Sequence, residues 1–227
     1  MKLLLLSNST LPGEPYLKWP KSIIDEFLGE VRDVLFIPFA AVGFTYDKYE
    51  EMVAEALSEK GIRVKSIHHF EDKLAAINEA QAIFVGGGNS FKLLHDLQEL
   101  NLVEAIQENV RKGTLYGGWS AGANMACPTI KTSNDMPIIE PESFNSLGLI
   151  DFQINPHYTE KTIDGHGGES RLQRLKEFVS INSTPVICLP EGFGIKVENG
   201  QTELIGNENV KMLNSTTESI QPGIFKA

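Results

Sequence analysis

TLYGGWSAGAN, residues 114–124, decides how this chain folds. Residues 114–116 read as a short strand. That strand runs into Gly118-Trp119-Ser120-Ala121-Gly122, and the small residues that follow open a helix. A strand that breaks on a G-x-S-x-G turn and restarts as a helix is an α/β unit. The same arrangement lies on either side. Residues 82–85 are an apolar run that ends in Gly86-Gly87-Gly88-Asn89 and passes into a helical stretch over 90–97. Residues 3–6 are four leucines followed by Ser7-Asn8-Ser9-Thr10, and residues 34–37 stop at Pro38. Between them, residues 47–59 place Tyr49, Met52, Val53, Ala56 and Leu57 at helical spacing, with Gly61 as C-cap. Farther on, the run 151–154 ends at Asn155-Pro156-His157, and 186–189 ends at Pro190-Glu191. Residues 193–213 read as two or three short strands turned at Asn199-Gly200. Near-continuous apolar strands alternating with helices predict an α/β fold with a mostly parallel central sheet flanked by helices and short C-terminal strands. No linker or repeat divides the chain, so 1–227 is expected to be one domain.

Composition narrows the partners. The 227 residues are 41% hydrophobic and 22% charged, with a net charge of −10. Such a chain folds, and it lacks the basic surface that nucleic acid or an anionic membrane requires. The two cysteines, Cys127 and Cys188, are far apart, and no Cys/His group stands at metal spacing, so no metal is expected. No phosphate-binding fingerprint and hence no cofactor is indicated. Nothing resembles a secretory signal or a membrane span, which predicts a cytoplasmic location, and the expected assembly is a monomer or homodimer.

The chemistry is concentrated at predicted strand ends, where open α/β sheets carry their sites. Ser120 in the elbow is the candidate nucleophile, with the Ala121 N–H facing a developing oxyanion. A serine needs a base. Of five histidines, His157 follows a strand end directly, with His166 in a glycine-rich loop as second choice. His68 and His69 read as solvated. The acid that orients the imidazole is Asp135 in Thr132-Ser133-Asn134-Asp135-Met136-Pro137, or Glu191. Either could instead hold a loop or bind a substrate amino group. The glycine turn at 86–88 would let Gly88 supply a second oxyanion N–H.

Taken together, the residue 85–89 turn, the residue 118–124 elbow, the TSNDMP, INPH and LPEG segments, and Ser7 to Thr10 resemble peptidase E, the family of α-aspartyl dipeptidases. The resemblance covers most of the chain. It implies a three-layer sandwich of the class I glutamine-amidotransferase-like, flavodoxin-like type. It implies metal-independent hydrolysis of dipeptides with an N-terminal aspartate. By position it makes Ser120 nucleophile, His157 base and Asp135 the third residue, with Glu191 in competition, and places Asn89 among the substrate-binding residues. A β-carboxylate calls for a fixed arginine. Only Arg32, Arg63, Arg111, Arg171 and Arg174 are available, and Arg171 is best placed, with Arg174 one turn later. The alternatives are a cyanophycinase-like β-aspartyl peptidase, which is usually longer, and an esterase. An esterase would expect an HGGG-type loop and a late histidine, and this chain has neither.

Overall fold

The structure, a computed structural model, describes residues 1–162, 165 and 167–226. His166 therefore lies outside the described residues. Five strands form the parallel part of the larger sheet: β1 (Lys2–Leu6), β2 (Asp33–Ile37), β3 (Arg63–Ser66), β4 (Ala82–Val85) and β5 (Leu115–Trp119). They lie in the order β1-β5-β4-β2-β3. The helices between them are α1 (Lys21–Leu28), α2 (Tyr46–Ser58), α3 (Lys73–Glu79), α4 (Ser90–Glu99) and α5 (Val103–Lys112), with α6 (Ala121–Met125) after β5.

The leucine run explains itself through burial. Leu3 and Leu5 belong to one core, with Leu93, Leu97 and Ile106 of α4 and α5. Leu4 and Leu6 belong to another, with Ile24 of α1 and Tyr49 and Val53 of α2. Alternate residues of one strand thus enter cores on opposite faces, so every position must be apolar. Capping fits the sequence as well: the Thr45 side chain accepts from Lys48 N at the start of α2, and Asn89 accepts from Lys92 N at the start of α4.

Two features differ from expectation. The runs after residue 150 do not join the parallel sheet. β6 (Gln153–Asn155) and β7 (Val186–Cys188), separated by α7 (Arg171–Ile181), pair in parallel in a second sheet, completed by β10 (Val210–Leu213) and β11 (Thr217–Ile220). Conversely, β8 (Gly194–Glu198), β9 (Gln201–Ile205) and β12 (Gly223–Phe225) extend the larger sheet beyond β1, all antiparallel. Three buried residues in a row mark a strand but carry no information about which sheet receives it. α1 starts after Pro20 without a side-chain cap, so its N-terminal signal is weak.

Candidate active site

Ser120 occupies the corner between β5 and α6 with φ 53° and ψ −114°. A non-glycine residue in that region is strained by about 1–3 kcal/mol and persists only where its surroundings enforce it. The enforcement is visible. Ser120 N donates to Leu6 O at 3.0 Å. A Cβ on Gly122 would stand 2.1 Å from Val85 O, so α6 can approach β4 only with glycine there. Trp119 anchors the corner from below, stacked on Phe36 at 6.0 Å between ring centroids and edge-on to Phe84. Its indole N–H donates to the Tyr49 hydroxyl at 3.1 Å, and that hydroxyl donates to Gly87 O at 3.0 Å. Burial pushes the Tyr49 phenol up, so it keeps the proton it donates.

His157 reaches this serine from the second sheet. Its Nε2 lies 2.8 Å from Ser120 Oγ, and its Nδ1 lies 2.9 Å from Glu191 Oε1. His157 follows β6, Glu191 follows β7, and β6 pairs with β7, so a parallel register sets the two side by side. His157 also has φ 53°. Both positions thus carry backbone strain.

Asp135 is not where the third member of a triad must be. Its Oδ2 accepts from Ser90 N at 2.7 Å, Ser90 Oγ at 2.7 Å and Ser133 Oγ at 2.9 Å. The positive end of α4 holds this carboxylate, and the imidazole bonds Glu191 instead. Asn89 also has structural partners: Oδ1 caps α4, and Nδ2 donates to Met136 O at 2.8 Å, so its amide fastens the residue 132–137 loop.

Ser7 and Asn8 stand at a strand end that the sequence marks without giving either residue a role. Ser7 Oγ donates to Leu189 O at 2.8 Å and accepts from His157 N at 2.8 Å. Asn8 Oδ1 accepts from Gly192 N at 2.8 Å, next to Glu191. The end of β1 thus fastens both loops of the second sheet to the first. Their position at a strand end and their place in the resemblance were the available signals. Ser7→Ala frees the His157 peptide, and a small displacement of a base is expensive. The expected result is kcat lowered by about 10- to 100-fold with KM little changed, read from steady-state kinetics.

Ser120, His157, Asp135, Gly87, Gly88 and Asn89 line one cleft of about 650 Å³, whose other walls include Tyr16, Phe44, Tyr49, Met52 and Trp119. That volume suits a small ligand. Gly88 has φ 138°, and a Cβ there would meet Ala40 O at 2.2 Å. Its N–H has no backbone acceptor among the described residues. The Ala121 N–H opens α6 and so has no partner within the helix. Arg171 is half-buried, does not line the cleft, and donates from Nη1 to His157 O at 2.5 Å. Burial lowers its pKa, and the Glu191 charge opposes that shift. Arg174 is exposed on α7. Cys127 and Cys188 are buried thiols pushed up to about 12 by desolvation, which leaves them inert.

Residues 3–205 match Peptidase family S51. The chain belongs to that family. Curated relatives agree: peptidase E of a Nostoc species is 51% identical over 92% of this chain and 87% of its own length. Peptidase E of Salmonella typhimurium is 47% identical over 97% and 96%. Two solved structures share the fold. A putative peptidase E from Listeria monocytogenes has a TM-score of 0.66 at 23% identity, over 89% of this chain and 96% of its own. A peptidase from an acI-B1 actinobacterium has a TM-score of 0.70 at 18% identity, over 97% and 94%. This S51 member is a peptidase hydrolase with a mixed α/β fold. Among the described residues no helix is long and apolar enough to cross a membrane.

Proposed function

We propose that this S51 peptidase cleaves dipeptides with an N-terminal L-aspartate, using Ser120 as nucleophile, His157 as base and Glu191 as the acid that orients it. The observation that carries this reading is the unbroken line from Glu191 Oε1 to His157 Nδ1 (2.9 Å) and from His157 Nε2 to Ser120 Oγ (2.8 Å) at the cleft. With Nδ1 protonated toward Glu191, Nε2 accepts the serine proton as Oγ attacks the peptide carbonyl. The N–H groups of Gly88 and Ala121 receive the oxyanion. His157 passes its proton to the leaving amine as the peptide C–N bond breaks. Water then loses a proton to His157, attacks the aspartyl ester, and releases aspartate and free serine.

Two charges select the substrate. No lysine or arginine is among the described residues lining the cleft, and Arg171 is the cation bonded to the site's own backbone. We assign the β-carboxylate to the rest of its guanidinium fork. Asp135 lines the cleft with one oxygen held by Ser90 and Ser133, and we assign its other oxygen to the substrate ammonium. A buried ion pair that loses one partner is weakened by about 2–5 kcal/mol. Hydrolysis of Asp-Leu, Asn-Leu, Glu-Leu and N-acetyl-Asp-Leu tests both assignments. Wild type is expected to cleave Asp-Leu at least about 100-fold faster in kcat/KM than the others. Arg171→Met should erase the preference for Asp-Leu over Asn-Leu, and Asp135→Asn the preference over N-acetyl-Asp-Leu. A uniform loss on all four peptides would make both residues structural. Equal cleavage by wild type would overturn the aspartyl specificity.

A further inference from the structure

The first turn of α2 faces the end of β3 on a part of the surface that the peptidase site does not use. β3 ends at Ser66 and passes into a 3-10 turn over Ile67–His69. Asp47 and Glu50 stand three residues apart on α2 and so share a face. One donor atom from each of Asp47, Glu50, His68 and His69 lies within 4.8 Å of all the others. His68 Nε2 is 2.9 Å and His69 Nε2 is 3.6 Å from the same oxygen, Asp47 Oδ1. His69 Nε2 is also 2.6 Å from Glu50 Oε2.

We propose that Asp47, Glu50, His68 and His69 form a binding site for a divalent transition-metal ion of the zinc type, separate from the peptidase site. Two independent ion pairs would have no need to converge on one point, whereas these four donors do. The imidazole rings are 3.9 Å apart between centroids, so both present their Nε2 atoms to the same pair of carboxylates. A metal takes its imidazole ligands in the neutral form, and a divalent ion would then balance the charge of the two carboxylates.

Outer contacts also fit a ligand set. Ser66 Oγ is 2.6 Å from His68 Nδ1, and Ser66 N donates to Glu50 Oε1 at 2.7 Å. One serine thus orients a histidine and a carboxylate together, as residues behind metal ligands do. Two nitrogens and two oxygens without sulfur favour zinc-like ions, while calcium and magnesium demand oxygen shells of six or more. Bonds of about 2.0–2.2 Å set tetrahedral donors about 3.4 Å apart, a spacing that side-chain rotation reaches from the present one. With the ion on Nε2, His68 would carry its proton on Nδ1 and donate it to Ser66 Oγ. Asp47 is 75% exposed, so the ion has an open approach.

Calorimetric titration of the chelator-treated full chain with zinc chloride tests the site. One ion per chain is expected, with a rise in Tm, and magnesium and calcium should give neither. His68→Ala/His69→Ala should weaken zinc binding by about 100-fold or more, and Ser66→Ala by about 10-fold. Asp47→Asn/Glu50→Gln changes no side-chain volume and should abolish the Tm shift while metal-free Tm and Asp-Leu hydrolysis stay near wild type. Unchanged zinc affinity in the two double variants would place the ion elsewhere, for example on His157 and Glu191, and overturn the proposal. So would the absence of saturable binding to wild type.

Discussion

Ser120→Ala is expected to lower kcat by about 10⁴- to 10⁶-fold, the range seen when a serine nucleophile is removed and only binding and oxyanion donors remain. The reason is geometric. Ser120 Oγ is the atom that faces His157 Nε2 at 2.8 Å, and no other hydroxyl bonds that nitrogen among the described residues. Because the variant keeps Gly88, Ala121, Arg171 and Asp135, substrate affinity should survive. Equilibrium binding of Asp-Leu to the variant should match the wild-type affinity within a few-fold. A phosphonate directed at serine nucleophiles should label wild type and leave the variant unlabelled. The backbone offers an independent check. Ser120 has φ 53°, where alanine is strained and glycine is not. Ser120→Gly should therefore be inactive yet more stable than Ser120→Ala by about 1 kcal/mol, a Tm difference of about 2–4 °C for a chain of this size. Residual activity within tenfold of wild type in either variant would remove Ser120 from the chemistry.

The legibility of this site in sequence follows from where each constraint acts. Ser120, Gly88 and the leucines of β1 are governed by local rules: a tight turn needs glycine, and a strand buried on both faces needs apolar residues throughout. Such rules leave marks within a few positions. His157 was legible for a weaker reason, that it ends an apolar run. Glu191 was legible as a candidate on the same ground, but its choice over Asp135 depends on β6 pairing with β7, and nothing within either segment states which strands pair. The capture of Asp135 by Ser90 joins residues 45 apart, and that of His157 by Ser7 joins residues 150 apart. The second sheet itself was hidden for this reason. The Asp47, Glu50, His68, His69 group escaped likewise, since metal ligands are sought at short fixed spacings and this one spans a helix and a strand end.

Glu191→Gln should lower kcat by about 10³- to 10⁴-fold, whereas Asp135→Asn should leave kcat on a saturating Asp-Leu substrate within about tenfold and raise KM. The two acids can be separated because they perform different work. In the proposed triad Glu191, 2.9 Å from His157 Nδ1, accepts the proton there, which would fix the tautomer whose Nε2 lone pair faces Ser120. A glutamine can present its N–H₂ to Nδ1 instead. The imidazole then carries its proton on Nε2, facing the serine hydroxyl as a donor rather than an acceptor, and the base is lost while the geometry stays. The carboxylate also stabilises the imidazolium formed in the transition state, which a neutral amide cannot do. Asp135 touches neither imidazole nitrogen: its Oδ2 is taken by Ser90 and Ser133. Its loss removes a charge from the cleft wall, which acts on binding and selectivity. Glu191→Asp refines the test. It keeps the charge but shortens the reach by one methylene, so partial recovery over Glu191→Gln would identify the charge at Nδ1 as the active property. The opposite pattern, with Asp135→Asn losing kcat by more than 10³-fold and Glu191→Gln near wild type, would transfer the orienting role to Asp135. It would also require the loop over residues 132–137 to swing from α4 to the imidazole when substrate binds.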